Sequence, residues 1–368
     1  MEFRIHVPDT DLADLRRRLD AAILPQPTPG PEWSNGMPPR VLRDLVDRWR
    51  DGYDWRAFER RLDRYDQRMV DLDGCATHVV VAPARHPGDA LPVILGHGWP
   101  YSFASMLDLG DLLSEERDVV IPSLPGYGWS APLPEPYSSA AVASRWNALM
   151  TATLGHDRYL TYGEDVGAGV SDWLAASYPE SVAGIVASHA SFSGRSRPGV
   201  ELTDDERAFL ASVAQPAESG YAHEQGTRPD TLAAALVDSP SGLLAWIAEK
   251  VAAWSDGDGL ERFDGDDILT NVSIYWFSRS IGTSFRPYRE STDDDELHPL
   301  ITVPASILIQ RHEAAYPRSL AEKSYTDIRS FARLLRGGHF TAWEAPGAIA
   351  AAVRELETDI RTSAGPRG

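Results

Sequence analysis

The pentapeptide Gly163-Glu164-Asp165-Val166-Gly167 decides the fold. It follows the short aromatic and β-branched run 159–162 and precedes helical periodicity at 171–176. A Gly-x-nucleophile-x-Gly turn between a strand and a helix is tight, and it exposes the central side chain above the sheet. The pattern therefore predicts a nucleophilic aspartate, Asp165. Taken alone, it also fits an ordinary glycine-rich turn with a solvated aspartate.

Short β-branched runs alternate with helical segments on both sides of this turn. The runs lie at 77–82, 93–95, 119–121, 185–187, 303–309 and 330–335. Strands that alternate with helices indicate a mostly parallel sheet flanked by helices, which is an α/β fold.

The pattern of apolar residues divides the chain into four segments. Residues 1–75 read as helices and loops and are predicted to form an N-terminal arm packed on the core. Residues 76–194 form the first part of the core, and residues 195–298, which are helical and acidic, form a cap inserted into it. Residues 299–368 again contain β-branched runs typical of strands and are predicted to form the second part of the core.

Composition narrows the class of protein. The chain has 368 residues with 43% hydrophobic content, which is ample for a buried core, and a formal net charge of -19. An acidic surface repels phosphate backbones, so we expect no nucleic-acid partner. The single cysteine, Cys75, favours a reducing cytoplasm. Residues 1–10 form no apolar signal region, and no window has the roughly 18 apolar residues of a span, so we expect a soluble protein without a membrane partner.

A second glycine-rich turn lies upstream of the pentapeptide. The apolar strand 93–95 ends in Gly96-His97-Gly98-Trp99-Pro100. The backbone N–H of Trp99, together with that of Val166, is placed to form an oxyanion hole. We interpret His97 as a structural residue that orients the loop.

The general base is expected after the cap, because α/β-hydrolases order their triad as nucleophile, acid and histidine along the chain. Three histidines satisfy this order: His298, His312 and His339. The glycines before His339 and its place between a strand and a helix favour His339. This order, with the turn at Asp165, identifies the α/β fold as the α/β-hydrolase fold.

The orienting acid has two usual positions, and one of them is empty. Residues 184–196 contain no Asp or Glu, whereas Glu313 comes just beyond the strand 303–309. We therefore predict Glu313 as the acid, with a surface glutamate as the alternative.

A carboxylate nucleophile limits the reaction class. Acylation of an aspartate gives an anhydride, whereas its attack on sp³ carbon gives an ester that activated water can hydrolyse. Epoxides and alkyl halides both qualify as substrates, and an epoxide requires acidic donors for its departing oxygen.

Four motifs together resemble the epoxide hydrolases of the microsomal type, and the leading segment around residues 49–55 resembles that family's N-terminal domain. The motifs are Gly96-His97-Gly98-Trp99-Pro100, Pro122-Ser123-Leu124-Pro125-Gly126-Tyr127-Gly128, Asp165 and Gly337-Gly338-His339-Phe340. The resemblance covers nearly the whole chain, and it includes bacterial members of antibiotic biosynthesis.

The resemblance implies two cap tyrosines, Tyr221 and Tyr288, that hold the epoxide oxygen. It implies attack by Asp165, then hydrolysis of the ester by water that His339 activates. No metal or organic cofactor is expected. The expected partners are a small-molecule epoxide and water, with a second copy in a homodimer as an open alternative to a monomer.

Three positions depart from the family pattern. Tyr101 stands where the family often has Gly, Glu164 where Gly is common, and Val166 where Trp is common. A carboxylate beside Asp165 that faced the pocket would raise the pKa of the nucleophile, so we expect Glu164 to point away from the site.

Two alternatives remain open. A haloalkane dehalogenase uses the same aspartyl ester, although Val166 removes the indole donor that such an enzyme usually carries after its nucleophile. A catalytically silent relative would keep the fold as a binding protein. The aromatic run 275–277, with Trp246 and Trp254, indicates a bulky aromatic epoxide or cap core packing, and both biosynthesis and detoxification fit the sequence.

Overall fold

A single eight-stranded sheet forms the centre of the protein in a computed structural model. The structure describes residues 3–191, 193–213, 219–257, 259–291, 297–314 and 317–363. In chain order the strands are β1 Asp66–Leu72, β2 Cys75–Ala82, β3 Val93–Gly96, β4 Val119–Pro122, β5 Tyr159–Gly163, β6 Val182–Ala187, β7 Ala305–Ile309 and β8 Ile328–Arg333.

The sheet order is β1-β2-β4-β3-β5-β6-β7-β8. The pairs β1–β2 and β2–β4 are antiparallel, and the remaining pairs are parallel. Strands β3 to β6 are buried along their whole length, as expected for parallel strands covered on both faces. The predicted fold class, a mostly parallel sheet flanked by helices, is confirmed.

The helices outside the cap lie before β1, between the strands and after β8. They are α1 Asp9–Asp20, α2 Pro39–Asp51, α3 Trp55–Leu62, α4 Leu107–Leu113, α5 Ser139–Ala148 and α6 Val166–Ser177, followed after the cap by α13 Arg318–Ala321, α14 Thr341–Glu344 and α15 Pro346–Ser363. A π-helical turn, Leu149–Thr153, extends α5, and one-turn 3₁₀ segments lie at Phe103–Met106, Ser193–Ser196 and Thr283–Phe285.

The described residues between β6 and β7 form helices and loops without a strand. The helices are α7 Asp204–Val213, α8 Gly220–Thr227, α9 Pro229–Leu236, α10 Pro240–Trp254, α11 Gly265–Ser278 and α12 Arg286–Glu290. This segment lies where the sequence analysis expects the cap.

The N-terminal arm packs on both the core and this helical segment. In α2 the apolar residues recur at helical spacing, and Leu42, Leu45 and Trp49 are buried. The indole N–H of Trp49 donates to the hydroxyl of Ser273 in α11 at 3.0 Å. The arm therefore holds α11 in place over the sheet.

Strand β1 is the one element that the prediction of helices and loops for residues 1–75 missed. Its sequence, Asp-Gln-Arg-Met-Val-Asp-Leu, is mostly polar, and it lies at the edge of the sheet. Edge strands carry polar side chains because one margin faces solvent, so the apolar pattern is weak there.

Among the described residues, no single helix has the length and apolar composition needed to cross a membrane. The pair α9 and α10 meets that test only when taken together, and the two helices are bent by 118°.

Candidate active site

Asp165 lies at the sharp turn between β5 and α6. It is the N-cap residue of α6, with φ 52° and ψ -121°, a backbone conformation that a non-glycine residue rarely adopts. The turn requires glycine next to it, because a Cβ on Gly163 would lie 2.1 Å from the carbonyl oxygen of Gly167. This geometry lifts the Asp165 carboxylate above the carboxyl ends of the parallel strands.

The backbone N–H groups predicted to form the oxyanion hole lie against this carboxylate. The N–H of Trp99 donates to Oδ1 at 2.9 Å, and the N–H of Val166 also donates to the carboxylate. A Cβ on Gly98 would lie 2.4 Å from Oδ1, so only glycine allows this approach. Burial raises the pKa of Asp165, but these donors and His339 outweigh it and hold the pKa below its usual value.

His339 faces the second oxygen of the carboxylate. Its Nε2 lies 3.3 Å from Asp165 Oδ2, and both side chains are 18% exposed. The loop between β8 and α14 carries this histidine, and the His339 N–H donates to the carbonyl oxygen of Trp254 at 2.9 Å. The last residue of the cap helix α10 therefore helps to fix the position of the His339 loop.

Glu313 follows β7 and lies on the opposite side of the imidazole. Its Oε1 is 3.7 Å from His339 Nδ1. Burial lowers the pKa of His339, but the carboxylates of Asp165 and Glu313 outweigh it and raise the pKa to about 10. The contact with His339 lowers the pKa of Glu313. In the resting protein at neutral pH the triad is therefore an imidazolium between two carboxylates.

The two cap tyrosines come together in front of Asp165. The rings of Tyr221 in α8 and Tyr288 in α12 are 5.8 Å apart, and Tyr221 stacks on Trp99 at 5.3 Å. Burial, with the nearby Asp165 charge, raises the pKa of Tyr221 to about 12 and that of Tyr288 well above its usual value. Both phenols therefore keep their protons at neutral pH.

A cavity of about 430 Å³ opens in front of the nucleophile. Asp165, Tyr221 and Tyr288 all line it. The aromatic run 275–277 is absent from the described lining, and its tyrosine hydroxyl donates to the carbonyl oxygen of Tyr101, so this run packs the interior. In the described part of the chain, no three His, Cys, Asp or Glu side chains are grouped to hold a metal ion.

His189 is a site residue that the sequence analysis set aside because it precedes the cap. Its Nδ1 accepts the N–H of Asp165 at 2.8 Å, and its Nε2 lies 3.0 Å from the carbonyl oxygen of His339. Since a carbonyl only accepts, the proton resides on Nε2. Burial lowers the pKa of His189 to about 4, which keeps the ring neutral. His189 thus ties the nucleophile turn to the histidine loop.

Glu164 and His97 have structural roles beside the site. Glu164 is fully buried and absent from the described cavity lining, and its Oε1 accepts the hydroxyl of Tyr162 and, at 2.6 Å, the N–H of Ala342. Burial raises the pKa of Glu164 to about 7. His97 is also buried, and its Nε2 accepts the N–H of Leu124 at 3.1 Å.

The sheet order, the nucleophile turn and the triad order define a hydrolase of the α/β-hydrolase fold. Residues 1–106 match the family model described as "Epoxide hydrolase N terminus", and residues 92–224 match "alpha/beta hydrolase fold". A protein of Stigmatella aurantiaca (strain DW4/3-1), assigned as an epoxide hydrolase, is 35% identical over 98% of this chain and 85% of its own length. Juvenile hormone epoxide hydrolase 2 of Ctenocephalides felis is 32% identical, over 94% of this chain and 82% of its own. The chain belongs to the epoxide hydrolase family.

Solved structures agree with this assignment. Juvenile hormone epoxide hydrolase from the silkworm Bombyx mori superposes with a TM-score of 0.86 at 27% identity, covering 98% of this chain and 94% of that one. The epoxide hydrolase of Aspergillus niger gives a TM-score of 0.83 at 27% identity, covering 98% and 96%.

Proposed function

We propose that this protein converts an epoxide and water into a vicinal diol through a covalent aspartyl ester. Family membership supports the reaction. The observation that carries the mechanism is that the two oxygens of the Asp165 carboxylate have different partners: Oδ1 accepts the backbone N–H of Trp99, whereas Oδ2 faces His339, and the residue lines the cavity.

In the first half-reaction, Oδ2 of Asp165 attacks an oxirane carbon. The C–O bond of the oxirane breaks, and the departing oxygen takes a proton from Tyr221 or Tyr288, whose phenols are protonated at neutral pH. The ester removes one of the two negative charges beside His339, so the pKa of the imidazolium falls. The proton it releases returns to the tyrosinate by way of cavity water.

In the second half-reaction, neutral His339 removes a proton from water, which attacks the ester carbonyl. Glu313 orients the imidazole and stabilises its returning charge. The carbonyl oxygen becomes an oxyanion that the N–H groups of Trp99, which already donates to Oδ1, and Val166 stabilise. Collapse of the intermediate expels the diol oxygen, which takes the hydroxyl proton of the intermediate, and the resting ionic triad is restored.

A single turnover in heavy-oxygen water tests this mechanism. The label is expected in the peptide that contains Asp165, because the ester is cleaved at its acyl carbon. Asp165→Asn is expected to lower turnover at least about 10,000-fold, since it removes the attacking carboxylate. Diol formation with an unlabelled peptide would overturn the covalent mechanism.

Alkyl halides are the substrates of the alternative considered above. Two phenols facing Asp165 suit a departing alkoxide, and Val166 offers no indole N–H, so the geometry favours epoxide opening. Parallel assays with a chloroalkane and an epoxide separate the two reactions. Halide release without diol formation would exclude our proposal.

The finer assignments are also proposals. A cavity of about 430 Å³ is within the usual range for small-molecule sites, which supports a substrate of moderate size. A panel of aryl and alkyl epoxides with product stereochemistry distinguishes a bulky aromatic substrate from a small one. The cytoplasmic location and the homodimer stay predictions, the latter testable by sedimentation.

A further inference from the structure

Helix α6 forms one wall of the active-site cavity, and it carries a second carboxylate. Asp165, Ala168, Gly169 and Asp172 all line the cavity. Their spacing of three, four and seven residues places them on one face of the helix. Asp172 therefore lies about 10 Å from Asp165 along the helix axis. The two small residues between them leave the cavity open from one carboxylate to the other.

Asp172 is held firmly at the far end of the cavity. It is 3% exposed, and its Oδ1 accepts the hydroxyl of Tyr325 at 2.6 Å. The same hydroxyl accepts the N–H of Ser191 at 2.9 Å. Burial raises the pKa of Asp172 to about 6, against the opposing effects of the nearby His298 and of hydrogen bonds from Tyr325 and Ser191. The fold thus maintains a buried carboxyl group that the mechanism above does not use.

His298 faces the second oxygen of Asp172. The imidazole is 2% exposed and lines the same cavity. Its Nδ1 donates to the carbonyl oxygen of Pro299 at 2.7 Å, which leaves Nε2 pointing towards Asp172 Oδ2 at 3.8 Å. That separation is too long for a hydrogen bond, and Nε2 has no hydrogen-bond partner among the described residues. Buried polar atoms are normally satisfied, so Nε2 of His298 marks a position that a polar group of a ligand can fill.

We propose that Asp172 and His298 form a recognition subsite for a hydrogen-bond-donating group, a hydroxyl or a protonated amine, on the epoxide substrate. The donor binds Asp172 Oδ2 and Nε2 of His298 while the oxirane lies at Asp165. The substrate class is therefore an epoxide with an O–H or N–H group separated from the ring by roughly the two helical turns between the carboxylates. This inference rests on the proposed function.

Four epoxides of matched length test the subsite, with a terminal methyl, hydroxyl, protonated amine or carboxylate. For the wild type, kcat/KM is expected to be at least 10-fold higher for the hydroxyl or amine compound than for the methyl compound, with the carboxylate compound lowest. The hydroxyl and amine arms distinguish the two sources of the donor. Preference for the carboxylate compound, or equal turnover of all four, would overturn the proposal.

Substitutions of the two subsite residues test whether the substrate preference arises at this subsite. Asp172→Asn and His298→Gln are each expected to remove most of this preference, mainly through KM, because kcat/KM falls more for the hydroxyl or amine compound than for the methyl compound. The exposed Asp205→Asn is the matched control and is expected to leave the preference intact. An equal loss for all substrates in both variants would show a structural role only. If Asp172→Asn does not fold, His298→Gln and the wild-type ratios still decide.

Failure of the proposed function gives a different result. In that case the wild type forms no diol from any of the four compounds and takes up no heavy oxygen at Asp165.

Discussion

The core half and the cap half of the active site are held in place by different interactions. Asp165 in the core is fixed by backbone hydrogen bonds from Trp99 and to His189, at distances of 2.9 and 2.8 Å. In the cap, the described contacts of Tyr221 and Tyr288 are mainly aromatic packing against Trp99 and against each other. Hydrogen bonds set direction and distance, whereas ring packing tolerates sliding. The nucleophile is therefore held mainly by directional contacts, whereas the two tyrosines are held mainly by ring packing.

Removing the base should separate the two halves most sharply. In His339→Gln the nucleophile and both tyrosines remain, so the first alkylation is expected to proceed. Turnover is expected to fall at least about 1,000-fold because no group activates water. Intact mass spectrometry should show an adduct of one substrate per chain. If the variant consumes no substrate and forms no adduct, His339 is not confined to the second half-reaction.

Removing the cap donors should affect the opposite step. Tyr221→Phe and Tyr288→Phe are each expected to slow alkylation about 10- to 100-fold, because the departing alkoxide loses one of two donors. The double variant should lose more than either single variant. Hydrolysis of the preformed ester should keep its rate, as measured in single-turnover experiments.

Tyr53→Phe is the matched control, since this hydroxyl contacts Thr270 away from the cavity. A slower ester hydrolysis with unchanged alkylation would assign the tyrosines to the wrong half-reaction.

The contribution of His189 tests whether the core half depends on exact placement. His189→Phe removes the acceptor for the Asp165 N–H and the partner of the His339 carbonyl. We expect both half-reactions to slow about 10-fold, because small misplacements of reacting groups are costly. His189→Gln, which can still accept the N–H, should recover part of the alkylation rate. Equal rates in the Phe and Gln variants would show that the ring only fills space.

The positive charge of His339 should also affect the free energy of unfolding. The pKa of His339 is raised from 6.5 to about 10, so its stabilising effect is complete below pH 6.5 and is lost as the pH rises towards 10. The free energy of unfolding should fall by up to about 1.4 kcal/mol per pH unit in this window. Denaturant titrations between pH 7.5 and 9.5 measure the slope, and His339→Gln should flatten it. If the wild type and His339→Gln show the same slope, His339 is not charged in the resting protein.

The sequence predicted the fold class because the strand runs and the Gly-x-Asp-x-Gly turn are local signals. Chain order, with the glycines before His339, selected His339 and Glu313 as candidates, and the structure places His339 beside Asp165 and Glu313 beside His339. Strand β1 was missed because its polar residues resemble a loop until a partner strand is known.

Other features depend on tertiary structure. His189 meets Asp165 only because β6 lies beside β5 in the sheet, which chain order does not reveal. Once the start of α6 is known, the i, i+7 spacing predicts that Asp165 and Asp172 lie on one face of the helix. The approach of His298 to Asp172 could not be predicted, because the chain passes through the whole cap between the two residues.

The hydrogen bond from the backbone N–H of Trp99 to Oδ1, with His339 facing Oδ2, makes the two oxygens of the Asp165 carboxylate chemically distinct. In each catalytic cycle Oδ2 leaves with the diol, and an oxygen atom from water takes its place. As long as the Trp99 N–H retains Oδ1, that atom never enters a product. After many cycles in heavy-oxygen water, Asp165 should therefore carry one isotopic label, and the other original oxygen should persist for the lifetime of the protein.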